Sequence, residues 1–504
     1  MGDLGANFLI GIEAAFSLTN LMYCFIGVFV GTLIGVIPGI GALTAISMLF
    51  PITFHLDPSS ALIMLAGIWY GSTYGGSTAS ILLNIPGTPA NAVICLDGYP
   101  MTQQGRGAVA LLMTTVASFL GGSIGIMLMM FFAPAIAQSA LSLNSADYFS
   151  LMVLGLVASS TISDGSTLKG LAMVLVGIAF GCIGMDLYSG APRFTFGFLG
   201  LSDGLSLVAL AMGLFGASEI IASIRQVKPG QFDAKSVSFA AMKPTSDDLR
   251  RSVGPTLRGG AIGSFFGALP GTGSSIAAFI AYAVEKRVSR DPGRFGKGAI
   301  EGIVGPEAAN NAADQTSFIP TMALGIPGNA TMALMLGALI IHGISPGPQL
   351  MTQQPELFWG LIMSFWIGNV LLVILNVPLI GLWVRLLTVP YQLLYPAVLM
   401  FIAIGVYTLA ATPFDVWMVL IMGALGYLLR LLDFRAAPLL LGFVLGPMME
   451  DSFRRALLVA RGDMMIFLNR PISATILALT ALLLVWSAYS AWRQRAKRPS
   501  EVTQ

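Results

Sequence analysis

Four Pro-Gly pairs interrupt apolar segments of this chain, and they constrain its fold more than any other feature. They are Pro38-Gly39-Ile40-Gly41, Pro86-Gly87-Thr88-Pro89, Pro270-Gly271-Thr272-Gly273 and Pro327-Gly328-Asn329. Proline removes a backbone donor and clashes with the preceding turn, and glycine admits positive φ, so a helix stops at each pair. The surroundings are apolar enough for a bilayer. Of 504 residues, 56% are hydrophobic and 10% charged, with mean hydropathy +0.82, whereas a soluble domain carries roughly 25% charged residues. Apolar runs near 20–37, 108–134, 146–163, 168–185, 204–224, 357–384, 396–411, 414–429 and 472–491 suit the about 20 residues that cross a hydrocarbon core. The shorter runs 42–53 and 274–284 lie beside Gly and Pro and do not comfortably span. Backbone groups freed at a break cannot face lipid and must be buried in protein or line a wet cavity. The expected fold is an all-α polytopic membrane protein with about 10–12 transmembrane segments, some broken or re-entrant.

The breaks belong to an internal repeat. GTLIGVIPGIG (31–41) aligns with GSFFGALPGTG (263–273), LLNIPGTPAN (82–91) matches MALGIPGNAT (322–331), and MTQQ occurs at 101–104 and 351–354. SFLGG (118–122) pairs with SFWIG (364–368), each followed by a proline, Pro134 and Pro378. The order is preserved throughout. It divides the chain into a first repeat (1–225), a polar linker (226–251), a second repeat (252–470), and an added helix with a basic tail (471–504).

Loop charge orients the halves. Cytoplasmic loops are enriched in Lys and Arg. The linker region (Arg225, Lys228, Lys235, Lys243, Arg250, Arg251) and the tail (Arg493, Arg495, Lys497, Arg498) are therefore expected inside. The loop FHLDPSS (54–60) has no basic residue, while its equivalent EKRVSRDPGRFGKG (285–298) has five. Arg106 and Lys169 mark loops whose second-half partners lack Lys and Arg. Equivalent loops thus face opposite sides, which is an inverted-topology repeat. Arg193 and the segment with Arg454, Arg455, Arg461 and Arg470 fit this pattern poorly. No Lys or Arg precedes Arg106, so the first apolar segment lacks the basic flank of a cleaved signal.

Paired broken helices point to a transporter's binding site. Helix N-termini offer free N–H groups and partial positive charge, which suit an anion. The candidate substrate site comprises Pro38, Gly39, Gly41, Asn84, Gly87, Thr88, Asn91, Gly271, Thr272, Gly273, Ser274, Gly328, Asn329 and Thr331. Side-chain and carbonyl oxygens also suit a coupling Na⁺. Asn310, Asn311, Asp314, Gln315 and Thr316 are the candidate coupling-ion residues, with Asp314 able to take Na⁺ or a proton or, alternatively, to cap a helix in a wet loop. Small residues also let helices pack closely, which accounts for any single Gly or Ser. Glu301 and Glu307 are expected at the interface, Asp57 as a helix cap, and His342 as a satisfied interfacial histidine. Cys24, Cys95 and Cys182 read as structural thiols, since no spacing suggests a metal or disulfide framework. HExxH and GxxxxGK[ST] are absent, and no enzyme or cofactor is expected. The net charge of +2 gives no reason to expect a nucleic-acid partner.

GTLIGVIPGIGALTAISMLFPITFHLDPSSALIMLAGIWYGSTYGGSTASILLNIPGTPANAV (31–93) and GPEAANNAADQTSFIPTMALGIPGNATMALMLGAL (305–339) resemble the large permease subunit of bacterial tripartite tricarboxylate transporters, the TctA type. The resemblance covers nearly the whole chain. It implies a multi-pass protein of the bacterial inner membrane with two partners: a small four-helix membrane subunit and a periplasmic solute-binding protein. The implied activity is cation-driven import of citrate-like tricarboxylates or other organic acids by alternating access. A passive organic-anion channel is the competing expectation. A membrane-embedded enzyme and a structural scaffold are more distant rivals.

Overall fold

The computed structural model describes residues 4–37, 40–162, 166–186, 188–223, 241–387 and 391–496. Pro38 and Gly39 of the candidate site, and Arg225, Lys228, Lys235, Lys497 and Arg498 of the charge argument, lie outside the described residues.

The described chain is overwhelmingly helical. In the first half, α1 (Leu4–Ala15), α2 (Leu18–Val36), α3 (Ala42–Thr53) and α4 (Pro58–Leu83) precede a 3-10 turn at Pro89–Val93. Then come α5 (Cys95–Gln103), α6 (Gly107–Ala140), α7 (Ser145–Ile162), α8 (Thr167–Gly181), α9 (Leu207–Ala211) and α10 (Ser218–Ser223), the last two joined by a π-helical stretch. The second half opens with α11 (Ser246–Gly267), α12 (Gly273–Val288), α13 (Glu301–Thr316), α14 (Phe318–Leu324) and α15 (Ala330–Ile341). It continues with α16 (Leu350–Gln353), α17 (Pro355–Asn376), α18 (Ile380–Leu386), α19 (Tyr391–Ala410), α20 (Pro413–Leu431), α21 (Ala436–Val459), α22 (Ile466–Asn469) and α23 (Pro471–Ala496). Among the described residues the only strands are the two-residue pair Gly184–Met185 and Pro192–Arg193. Five described helices are long and apolar enough to cross a membrane: α2, α6, α17, α20 and Pro471–Ser490 of α23. Shorter apolar helices, α3 and α15 among them, flank the breaks.

Each hairpin is held by small residues. Gly27, Gly31 and Gly35 of α2 lie against the backbone of Met64, Ile68 and Ser72 of α4, and Gly67, Gly71 and Gly75 return the contact. A Cβ on Gly75 would stand 2.6 Å from the Thr32 carbonyl oxygen and 2.6 Å from the Val36 nitrogen. The second half repeats the arrangement: Gly259, Gly263 and Gly267 of α11 meet the backbone of Gly305, Ala309 and Ala313 of α13. Only side chains of this size allow backbones so close in the absence of a hydrophobic drive between helices.

Equivalent helices of the halves cross in opposite directions. Tyr70, Thr73 and Ser77 of α4 bond Gln315, Asp314 and Glu307 of α13 respectively, so the numbering rises on one helix as it falls on the other. Antiparallel crossing of α4 with its counterpart requires a two-fold axis across the helices, which is the geometry of inversion. The remaining helices exchange accordingly. Helix α6 packs on α11 and α13, while its counterpart α17 packs on α2 and α4.

Ion pairs gather at the ends of the bundle. At one end Arg106 pairs with Asp248 at 2.6 Å, Arg251 with Asp247 at 2.6 Å, and Arg258 with Glu285 at 2.6 Å. At the other, Arg193 and Arg454 share Glu450 and Asp186, and Arg470 pairs with Asp147 at 2.7 Å. Arg193, Arg454 and Arg470, which fit the charge pattern poorly, lie at this second end and pair with Asp186, Glu450 and Asp147.

Candidate functional site

The breaks adopt matching local conformations in the two halves. Helix α4 ends at Asn84 with φ 58°, and α14 ends at Gly325 with φ 70°, both left-handed caps. After the following Ile-Pro-Gly, Thr88 caps the 3-10 turn by accepting from the Asn91 nitrogen, and Asn329 caps α15 by accepting from the Met332 nitrogen. Each hairpin tip sits on the break of its own half. The Gly271 nitrogen donates to the Gly328 carbonyl at 2.7 Å, and a Cβ on Gly41 would lie 3.7 Å from the Gly87 carbonyl oxygen. Gly271, at φ 85°, also lies against the backbone of Ala158 and Ser159, so no larger residue fits there without strain.

Two helices begin at the tips without a side-chain cap. Gly41 opens α3, and Thr272 precedes α12 with its hydroxyl turned to the Phe266 and Leu269 carbonyls. Their first N–H groups are therefore not satisfied by a capping side chain, as an anion site requires. Gly273 has φ 67° and nothing within 4 Å of an added Cβ, so the α12 tip is open. Thr331 lies in the first turn of α15 and is partly exposed.

The candidate coupling-ion residues all lie on buried α13, yet they face different partners. Gln315 accepts from the Tyr70 hydroxyl at 2.8 Å. Thr316 spends its hydroxyl on the Ala312 carbonyl of its own helix. Asn311 donates to Ser118 and Glu307. Asp314 Oδ2 accepts from Thr73 at 3.2 Å, and the Ser274 hydroxyl at the α12 tip also interacts with Asp314. Asp314 Oδ1 and both amide atoms of Asn310 are buried without a hydrogen-bond partner, as is Ser72 Oγ on α4. Asn310 and Asp314 stand one turn apart on the same helix face. Unpartnered buried oxygens of this kind fit a hard cation such as Na⁺.

Glu307 is not interfacial, contrary to expectation. It is 0% exposed at the junction of α4, α6 and α13. Both carboxylate oxygens lie 3.0 Å from Ser77 Oγ, and Oε1 also accepts from Ser118 at 2.7 Å and Asn311 at 3.2 Å. The residue was missed because α13 reads as a polar segment; its spacing Gly305, Ala309, Ala313 was the available signal that it is packed inside. Glu301 does lie at a charged end, beside Arg251 and Arg294. Asp57 caps α4 by accepting from the Ser59 nitrogen, as expected. The three cysteines are free thiols, Cys24 buried and the other two half-buried. Beside Glu307 a small polar cavity is lined by Tyr74, Ser77, Thr114, Ser118 and Asn376. An aromatic group closes another side of the crossing, with Phe318 4.8 Å and Tyr70 5.2 Å from Phe365 between ring centroids.

The chain is 48% identical over 479 residues to an uncharacterised 52.8 kDa protein of the TAR-I ttuC' 3' region of Agrobacterium vitis, covering 95% of each chain. It is 56% identical over 217 residues to an uncharacterised protein of the TAR-II ttuC' 3' region of the same organism, covering 43% of this chain and 90% of that one. No solved structure matches significantly. The family model described as the tripartite tricarboxylate transporter TctA family matches residues 21–441, and with most of its length so covered the chain belongs to that family.

Proposed function

We propose that this chain is the large permease subunit of a binding-protein-dependent secondary transporter. It imports citrate-like tricarboxylates or related organic acids across the bacterial inner membrane, driven by a cation gradient. The observation that carries this reading is the juxtaposition of uncapped helix starts with unpartnered buried oxygens. Substrate carboxylates sit against the uncapped N–H groups at the starts of α3 and α12, and Asn329 and Thr331 at the start of α15 offer side-chain donors. The coupling cation, Na⁺ or H⁺, sits at Asp314 and Asn310. Ser274 joins the two, because it stands in the first turn of α12 and interacts with Asp314.

The end bearing Arg106, Arg251 and Arg294 faces the cytoplasm, in line with the excess of basic residues there. The opposite end receives substrate from a periplasmic binding protein, and a small four-helix subunit completes the assembly. Alternating access follows from moving the two hairpins, each with its own break, against the surrounding helices. Gly271→Leu tests the site. The protein should reach the membrane and lose citrate transport, because the side chain collides with Ala158 and Ser159 and with the tip's contact to Gly328. Normal transport by Gly271→Leu would show that this tip takes no part.

A further inference from the structure

We propose that the charged end of the α11–α12 hairpin is a binding surface for anionic phospholipid headgroups. Only the choice of leaflet, the cytoplasmic one, rests on the orientation proposed above; the binding itself does not depend on transport.

Ion pairs assemble this surface and leave other cations over. Arg258 of α11 pairs with Glu285 of α12 at 2.6 Å, and Arg251 and Arg294 reach Glu301 at 3.4 Å and 3.5 Å. These contacts bring together α11, the end of α12 and the loop 289–300. Arg250 neighbours Arg251 on α11, Lys286 and Arg287 follow Glu285 on α12, and Arg290 and Lys297 stand on the loop. All five are exposed, and among the described residues none of them pairs with a carboxylate. Glu285, Glu301 and Asp247 already hold arginines, which leaves exposed Asp291 as the acid in this group without an ion pair. The surface therefore carries a clear excess of positive charge.

The loop that displays part of this charge is fixed. The Gly296, Gly298 and Ala299 nitrogens donate to Asp97, and Gln104 Nε2 donates to the Lys297 carbonyl at 2.8 Å. A backbone already held in place lowers the ordering cost of binding. Favourable interaction with a helix C-terminus accounts for Lys286 and Arg287 in the last turns of α12. It does not account for Arg290 and Lys297 on the loop, nor for Arg250 near the N-terminus of α11.

The neighbouring surface is apolar. Helix α11 exposes Leu249, Val253, Leu257 and Phe265, spaced by multiples of four, so one side of the helix is a continuous apolar stripe. Helix α12 exposes Phe279 and then, about two turns further on, Arg287. Free cations at the helix ends with exposed apolar side chains beside them match a phospholipid, whose phosphate adjoins its acyl chains. A soluble anion would use the cations and leave the stripe bare. Basic clusters that flank membrane helices attract anionic lipids, each cation near the surface being worth about fivefold in affinity.

Titration of phosphatidylglycerol into the purified full-length protein in dodecyl maltoside, read by native mass spectrometry, tests this without substrate or partner subunits. Phosphatidylglycerol should bind more tightly than phosphatidylcholine. The combined change Lys286→Gln, Arg287→Gln and Arg290→Gln should weaken its binding by about a hundredfold, while Lys286→Arg, Arg287→Lys and Arg290→Lys together retain it. Arg250→Gln with Lys297→Gln should weaken it by about twenty-fivefold. Arg461→Gln, near the other charged end, should leave it unchanged. Equal binding of phosphatidylcholine, or wild-type affinity in either charge-removing variant, overturns the proposal. Displacement of the lipid by millimolar inorganic phosphate also overturns it, and assigns the surface to soluble anions. If the triple variant does not fold, the Arg250 and Lys297 pair still decides the point.

Discussion

Replacing Asp314 by asparagine should make the sodium-free protein more stable and abolish its response to sodium. Asp314 is 1% exposed, and its Oδ1 has no hydrogen-bond partner. Leaving a buried acceptor unmet costs about 1–3 kcal/mol, and more when it is charged. Asparagine removes the charge, and its amide can reach Asn310 Oδ1 one turn away, so two unpartnered groups satisfy each other. The expected gain without sodium is therefore about 1–3 kcal/mol. In the wild type, sodium at a hundredfold excess over its dissociation constant should stabilise by about 2.7 kcal/mol; in Asp314→Asn that increment should vanish. The assay is thermal unfolding of the purified protein in sodium chloride against choline chloride at equal ionic strength. Undiminished sodium stabilisation of Asp314→Asn, or a loss of stability without sodium, would refute the assignment of the cation site.

Further outcomes follow from other contacts. Asn84→Gly keeps the left-handed cap that Gly325 forms in the second half, so it should fold normally and yet lose citrate uptake; retained uptake would leave Asn84 a purely conformational role. Gly75→Ala should cost about 1–3 kcal/mol by forcing α2 and α4 apart, measured as a lower unfolding temperature, whereas Gly381→Ala, with nothing within 4 Å, should be nearly silent. Asp97→Ala strips acceptors from the Gly296, Gly298 and Ala299 nitrogens, and should cost about 3 kcal/mol and expose the 289–300 loop to limited proteolysis. The Arg454 guanidinium and the Tyr188 and Ser189 nitrogens hold Asp186 well below the usual carboxylate range. The stability from that contact is present above the ordinary carboxylate value, about 4, and is lost progressively as pH falls from there to the depressed value. Acid titration of Arg454→Gln should show a smaller loss, complete at higher pH than in the wild type.

Much of the fold was legible because the breaks are covalent instructions. Pro and Gly stop helices wherever they stand, so α2, α3, α11 and α12 end or begin where the PGxG motifs predict. The repeat was equally visible, and Thr88 and Asn329 cap their elements at aligned positions. What hydropathy hid was the crossing of α4 with α13. Ser, Thr, Gly, Asn and acidic residues lower the mean hydropathy of both, although nearly every residue of each is buried. Their polar atoms are matched across halves that lie more than 200 positions apart in sequence, as between Thr73 and Asp314. No local pattern records such a match. The same long-range pairing joins Arg193 to Glu450 of the other half.

Coupled import of an organic acid is the function proposed for this chain. Its most direct test is uptake of radiolabelled citrate into proteoliposomes that hold this chain and its small membrane partner, with the matching binding protein outside. Uptake should saturate, require the binding protein, and follow an inward sodium or proton gradient, with none in Gly271→Leu. Flux that rises linearly with citrate and ignores every gradient would contradict it and assign the protein to passive channels.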